Sequence, residues 1–118
     1  MENTEELMPS ELSGGMKKRI GIARAIALQP SYIFYDEPTT GLDPVMTDAI
    51  NRLINKFQRN DGVTSVIITH EMRTINDVSD RVLMLHDGKI IFDGDPEAMD
   101  NSDNLIVQQF ITGDSTLV

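Results

Sequence analysis

Two short apolar runs on either side of a helix-length segment constrain the fold of this chain more than any other feature. Residues 32–35 (YIFY) and 63–69 (VTSVIIT) are apolar and rich in residues that favour strands. The segment between them carries one apolar stripe, made of Ile50, Leu53, Ile54 and Phe57. This i, i+3, i+4, i+7 spacing predicts an amphipathic helix, and Asp43-Pro44 predicts its N-cap and first residue. Together the three segments predict two parallel strands, buried on both faces and joined by a crossover helix.

The rest of the chain continues the alternation of helices and strands, which is typical of a parallel sheet with crossover helices and makes residues 81–85 a predicted third strand. The other predicted elements are a helix over residues 10–28, a short helix over 71–78, strands over 81–85 and 89–92, and a weak helix towards Phe110. Pro30 ends the first helix, and Asp87-Gly88 between the last two strands is a strong hairpin signal. The predicted fold class is therefore α/β, and ligands on such sheets bind beyond the carboxyl ends of the strands.

Composition narrows the classes of partner. The chain has 118 residues and a formal net charge of −9, which repels a phosphate backbone and argues against nucleic-acid binding. We interpret the one basic cluster, Lys17-Lys18-Arg19, as a solvated helix face. The absence of cysteine and of any long apolar run excludes disulfides and transmembrane helices, and it fits a cytoplasmic protein.

Two adjacent carboxylates, Asp36 and Glu37, follow the first predicted strand. Neighbouring side chains on extended backbone point to opposite sides, so the two acids are expected to do different jobs. A carboxylate such as Asp36 suits hydrated Mg²⁺, and Glu37 is then placed to face an attacking water as a base. The alternative is that Asp36 and Glu37 have no catalytic role and belong to an ordinary solvated loop after a strand.

Residues 12–15 (LSGG) precede the first helix, where free N–H groups and the positive end of the helix dipole favour a phosphate. The alternative is a capped helix start, with Ser10 or Ser13 as the N-cap. His70 follows the second strand and is a candidate donor to a phosphate oxygen, although a lone histidine is more often structural. His86 is given no role.

These segments, in this order, resemble the ATPase subunits of ABC transporters. LSGGMKKRIGIARAIALQP is similar to the signature motif and its helix, YIFYDEP to the Walker B strand, TTGLDP to the D-loop, and ITHEM to the segment of the switch histidine. The resemblance implies a partial P-loop NTPase (RecA-like) core preceded by the signature helix. Residues 1–30 are then the end of a helical subdomain, 31–99 the C-terminal half of the ATPase core, and 100–118 a short C-terminal helix or tail.

In the family that the chain resembles, two subunits enclose two ATP molecules head to tail, and ATP hydrolysis drives a membrane partner. The resemblance implies that Ser13 and Gly15, with Gly14 between them, contact the γ-phosphate that the partner holds. It further implies that Asp36 holds Mg²⁺ through water, Glu37 polarises the attacking water, His70 touches the γ-phosphate, and Asp43 contacts the facing subunit. The implied partners are a second ATP-binding subunit and transmembrane permease subunits, which place the protein on the cytoplasmic side of the membrane.

The sequence departs from the family pattern in two places. Met16 stands where the signature motif usually has Gln, and no G-x-x-x-x-G-K-S/T phosphate loop is present in the 118 residues. The loop amides and lysine cradle the β- and γ-phosphates, so we expect no ATP turnover from this chain alone. Strands without their neighbours would have open edges and an uncovered apolar face, which predicts self-association or a partner that supplies the missing half.

Three functions remain open at this stage. The first is the energising subunit of a transporter, seen here as a C-terminal fragment. The SGG-Met sequence and the tail VQQFITG are similar to ATPases of MCE-associated, Mla-like lipid transporters. The second is an ABC ATPase outside transport, whose sequences usually depart from DEPTTGLDP after the glutamate. The third is a catalytically inert interface module, which would share every residue with the first.

Overall fold

The computed structural model describes residues 14–114 and 116, which divide into two units at Glu71 and Met72. The first unit contains helix α1 (Gly14–Ala27), strand β1 (Tyr32–Asp36), helix α2 (Pro44–Asn60) and strand β2 (Thr64–Ile68). The second contains α3 (Met72–Val78), β3 (Val82–His86), β4 (Lys89–Gly94), α4 (Pro96–Asp100) and α5 (Leu105–Thr112). Ser10 and Ser13, the two N-caps considered for α1, lie outside the described residues.

β1 and β2 form the predicted parallel pair, and α2 is the connection between them. Their register runs from Tyr32 opposite Thr64 to Asp36 opposite Ile68, so both strands end at the same level. The N–H of Glu37 donates to the carbonyl of Ile68 at 2.7 Å, which extends the ladder one residue past β1. The residues that follow β1 and β2 therefore emerge side by side.

α2 begins and packs as its sequence predicts. The Asp43 carboxylate accepts a hydrogen bond from the Met46 N–H at 2.8 Å, and Pro44 occupies the first turn, where its missing N–H costs nothing. Ile50 and Ile54 have no exposed surface, so the apolar stripe faces the core of the first unit.

The strands of the first unit are not buried on both faces, which corrects the prediction. Ile33 and Tyr35 of β1 are buried, whereas Tyr32 and Phe34 are 66% and 74% exposed. The open face also includes Val66 and Ile68 of β2, which lie beside these residues in the parallel register. Side chains alternate along a strand, so the buried Ile33 and Tyr35 share one face of β1 and the exposed Tyr32 and Phe34 share the other. This agrees with the expectation of an uncovered apolar face.

In the second unit, Asp87 and Gly88 form the predicted two-residue hairpin turn, with φ of 48° and 75°. Positive φ at both positions matches the twist of the flanking strands. β3 pairs antiparallel with β4 in a sheet of their own, whereas a third strand of the parallel sheet had been predicted. Pairing across a two-residue turn costs little loop-closure entropy, which favours the β3–β4 pair.

The helices of the second unit close a small core over the hairpin. Its buried apolar residues are Ile75, Val82, Met99 and Val107. The tail is more regular than the predicted weak helix, because Asn104 caps α5 by accepting from the N–H groups of Ile106 and Val107. Within residues 14–114, none of the helices combines the length and apolar character needed to cross a membrane.

Candidate functional site

Glu37 and His70 lie in contact at the ends of β1 and β2. The His70 Nδ1 atom is 3.0 Å from Oε2 and 3.2 Å from Oε1 of Glu37, although the two residues are 33 positions apart in sequence. The parallel register causes this contact, because the segments that follow Asp36 and Ile68 leave the sheet at the same edge. Two of the predicted site residues are therefore brought together.

The backbone at Glu37 is turned rather than extended. Its φ is 49°, in the left-handed region that side chains with a Cβ rarely adopt. Asp36 and Glu37 were predicted to lie on one extended segment, with their side chains on opposite sides. This was wrong, because the extended conformation ends at Asp36. The two carboxylates are separated by this turn: Asp36 remains the last, exposed residue of β1.

Thr40 also holds the Glu37 carboxylate, a contact that the sequence patterns did not predict. Its hydroxyl donates to Oε2 at 2.6 Å, and its N–H donates to the Glu37 carbonyl at 3.4 Å. The sequence does carry a signal for this contact. Thr40 is a hydroxyl residue three positions after Glu37 in a loop with proline and glycine, and residues i and i+3 of a turn lie close together. The hydrogen bond from Thr40 and then that from His70 lower the pKa of Glu37.

The same contact raises the pKa of the histidine. The hydrogen bond to Glu37 and its negative charge raise the pKa of His70, and Glu71, 3.6 Å from Nε2, acts in the same sense. Glu37 stays ionised down to a lower pH than an ordinary glutamate, and His70 stays protonated up to a higher pH than an ordinary histidine. The pair is therefore charged on both sides over an extended pH window.

We expect the substitution Glu37→Gln to lower the pKa of His70, because it removes the partner that raises it. The raised pKa means that the pair stabilises the fold below the ordinary value of 6.5, and that this contribution is lost as pH rises through the folded value. At the acid end it is lost as pH falls through the lowered pKa of Glu37. NMR titration of the His70 ring in both proteins measures the shift, and an unchanged midpoint would contradict the contact.

The described part of the signature segment packs against the start of α2. Gly15 is buried, and the Met46 side chain occupies the space that a Cβ on Gly15 would need. A Cβ on Gly14 would lie 3.4 Å from Leu42. Gly15 thus has a packing reason to be small, whereas a Cβ on Gly14 would make only ordinary van der Waals contact. The predicted contact of both glycines with a phosphate stays a prediction. Ser13, the third residue predicted there, lies outside the described residues.

Asp36 and Asp43 do not join the Glu37–His70 pair through any contact that the structure shows. Asp43 is used as the N-cap of α2. No cluster of three or more acidic or histidine side chains suited to a metal occurs in residues 14–114. A single exposed carboxylate such as Asp36 nevertheless fits Mg²⁺, because this ion is commonly bound by one or two carboxylates together with waters and substrate phosphates.

Comparison with known proteins shows which family the sequence and fold resemble. A family model described as ABC transporter matches residues 1–40. The chain is 41% identical over 109 residues to the intermembrane phospholipid transport system ATP-binding protein MlaF of Haemophilus influenzae, covering 92% of this chain and 41% of that protein. It is also 41% identical over 115 residues to the methionine import ATP-binding protein MetN of Staphylococcus saprophyticus, covering 97% of this chain and 34% of that protein.

A solved structure supports the same assignment. The dimeric, post-hydrolysis ATP-binding cassette MJ0796, bound to ADP and Pi, matches with a TM-score of 0.66 and 35% identity. The match covers 75% of this chain and 38% of that one, so the chain spans about two fifths of the length of the proteins it matches. The α/β fold with parallel strands, expected of a partial P-loop NTPase core, is confirmed. From these matches and the shared fold, the chain belongs to the family of ABC transporter ATP-binding domains.

Proposed function

We propose that this chain is the C-terminal part of the ATP-hydrolysing subunit of an ABC transporter. In this role Glu37 orients and deprotonates the water that attacks the γ-phosphate, and His70 donates to that phosphate. Asp36 would hold Mg²⁺, whose charge assists phosphoryl transfer. Ser13, Gly14 and Gly15 would contact the γ-phosphate held by a second subunit. Asp43 would face that subunit from the loop before α2.

The contact between Glu37 and His70 is the observation that carries this proposal. A general base needs a carboxylate held in a defined position, and Glu37 is held by hydrogen bonds from Thr40 and His70. It is ionised at neutral pH and can accept a proton, and its lowered pKa makes it a weaker base than an ordinary glutamate. Because His70 has a raised pKa, it is suited to donate to an anionic phosphate oxygen.

The names of the relatives support a proposal about the partners. MlaF and MetN are named as ATP-binding proteins of transport systems, and MJ0796 was solved as a dimer. We therefore propose a second ATP-binding subunit and a membrane permease as partners, with this protein at the cytoplasmic face of the membrane. A lipid is the favoured cargo, because the SGG-Met and VQQFITG segments also point to the Mla-like group. The open face of β1 and β2 is proposed to be covered by further strands or by self-association.

The proposal predicts that ATP turnover requires a phosphate loop joined to this chain. The loop-bearing polypeptide is defined here as this chain continued in frame from an upstream G-x-x-x-x-G-K-S/T loop. We expect it to release phosphate from ATP and the 118 residues alone to release none, because the chain lacks the groups that cradle the β- and γ-phosphates. Phosphate release by both polypeptides at matched concentration is the measurement.

The outcome also separates the alternatives. Turnover by the 118 residues alone would contradict the proposal. An inert loop-bearing polypeptide, assayed with Mg²⁺ and with permease-containing membranes, would favour the non-catalytic interface module.

A further inference from the structure

Lys18 was predicted to lie on a solvated helix face with the rest of its basic cluster, and the structure shows that it does not. It lies one turn into α1 and is partly buried, and its ammonium group donates to the backbone carbonyl of Glu37 at 2.7 Å. The two residues are 19 positions apart, so the bond joins α1 to the turn after β1. Its neighbour Lys17 is exposed.

With this bond, both the N–H and the C=O of the Glu37 backbone are held by residues distant in sequence. The N–H of Glu37 is held on one side by the Ile68 carbonyl at 2.7 Å, and its C=O is held on the other by Lys18. Left-handed backbone in a residue with a Cβ is unfavourable and persists only where the surroundings hold it. The carboxylate direction depends on that backbone, since the turn at Glu37 is what brings the carboxylate to Thr40 and His70.

We propose that Lys18 is a positioning residue for Glu37: its hydrogen bond to the Glu37 carbonyl keeps the backbone turn in which the carboxylate faces the reacting water. The inference rests on the proposed function, in which Glu37 acts on that water. Lys18 touches neither substrate nor reacting atoms, and it acts only through Glu37. The bond also ties the helix that begins with the signature glycines to the acid at the end of β1.

A charge effect and a hydrogen-bond effect are separable, because the chain offers a matched control. Lys17 and Lys18 line the same shallow cavity beside Asp36, so either lysine contributes positive charge there. Of the two lysines, Lys18 is the one whose ammonium donates to the Glu37 carbonyl, which also accepts the longer bond from the Thr40 N–H. Lys17→Met therefore removes a charge alone, whereas Lys18→Met removes a charge and the anchor.

In the loop-bearing polypeptide we expect Lys18→Met to lower kcat about tenfold or more, while the KM for ATP stays within about twofold. Lys17→Met is expected to keep both values, and Lys18→Arg, which retains a cationic donor, to recover part of kcat. A kcat for Lys18→Met equal to the wild type would overturn the proposal. Equal losses in Lys17→Met and Lys18→Met would overturn it too, because charge alone would then explain them.

Amide hydrogen exchange in the 118-residue chain provides a second readout that needs no ATP. Lys18→Met is expected to speed exchange of the Glu37 N–H about tenfold and to leave the Ile54 N–H of α2 unchanged. Unchanged exchange at Glu37, or equal acceleration at Ile54, would overturn the positioning role. If the wild-type loop-bearing polypeptide hydrolyses no ATP, the proposed function fails, and the exchange experiment still decides whether Lys18 holds Glu37.

Discussion

The substitution Glu37→Gln is expected to lower ATP turnover of the loop-bearing polypeptide by about 10³-fold, within the range that a positioned general base contributes. Glutamine keeps the shape and the hydrogen-bond acceptor for Thr40, but it has no negative charge and cannot take a proton from water. The loss should therefore appear in kcat. ATP binding, measured separately by equilibrium titration, should remain near the wild-type affinity.

Glu71→Gln is the matched control for this substitution. Glu71 also lies beside the His70 ring, 3.6 Å from Nε2, and it loses the same charge when changed to glutamine. We expect its turnover to stay close to that of the wild type. Glu37→Gln turnover within about tenfold of the wild type would show that Glu37 is not the base. Loss of ATP binding in Glu37→Gln would show instead that the charge is needed to form the site.

The second large effect is on stability. Ile50→Ala should lower the free energy of unfolding of the first unit by about 2–5 kcal/mol, because Ile50 has no exposed surface and the deletion leaves a cavity. Both tyrosines of the chain, Tyr32 and Tyr35, lie in β1, and the chain has no tryptophan. Tyrosine fluorescence during urea unfolding therefore reports on the first unit.

Val45→Ala provides the comparison, since Val45 is on the same helix and 76% exposed. Its free energy of unfolding should stay within about 0.5 kcal/mol of the wild type. A fall of less than about 1 kcal/mol for Ile50→Ala would mean that the first unit tolerates the cavity and that its core is not formed around α2.

Much of the fold was predictable because it depends on short-range patterns. The stripe through Ile50 and Ile54 identified the buried face of α2, Asp43-Pro44 identified its start, and Asp87-Gly88 identified the hairpin. The separation of β3 and β4 from the sheet of β1 and β2, and the exposure of Phe34, were not predictable in this way. Both depend on which strands and helices lie alongside, and a run of apolar letters carries no information about its neighbours.

The candidate site likewise has features that sequence patterns predict and features that they do not. The approach of Glu37 to His70 follows from placing two polar groups after two parallel strands, and it was expected. The left-handed turn at Glu37 was not, because glutamate gives no local signal for positive φ. Lys18 and Thr40 were missed because each acts through one hydrogen bond, and neither residue type at its position distinguishes a contact from a solvated side chain.

The turn at residue 37 also bears on how selection treats this position. Glycine or asparagine would adopt such a φ at lower cost, yet neither supplies a carboxylate. Catalytic need and backbone preference thus favour different amino acids at one codon. If the proposed chemistry holds, glutamate persists there at the expense of conformational ease, and copies of the gene released from that chemistry would drift first towards the residues that the backbone prefers.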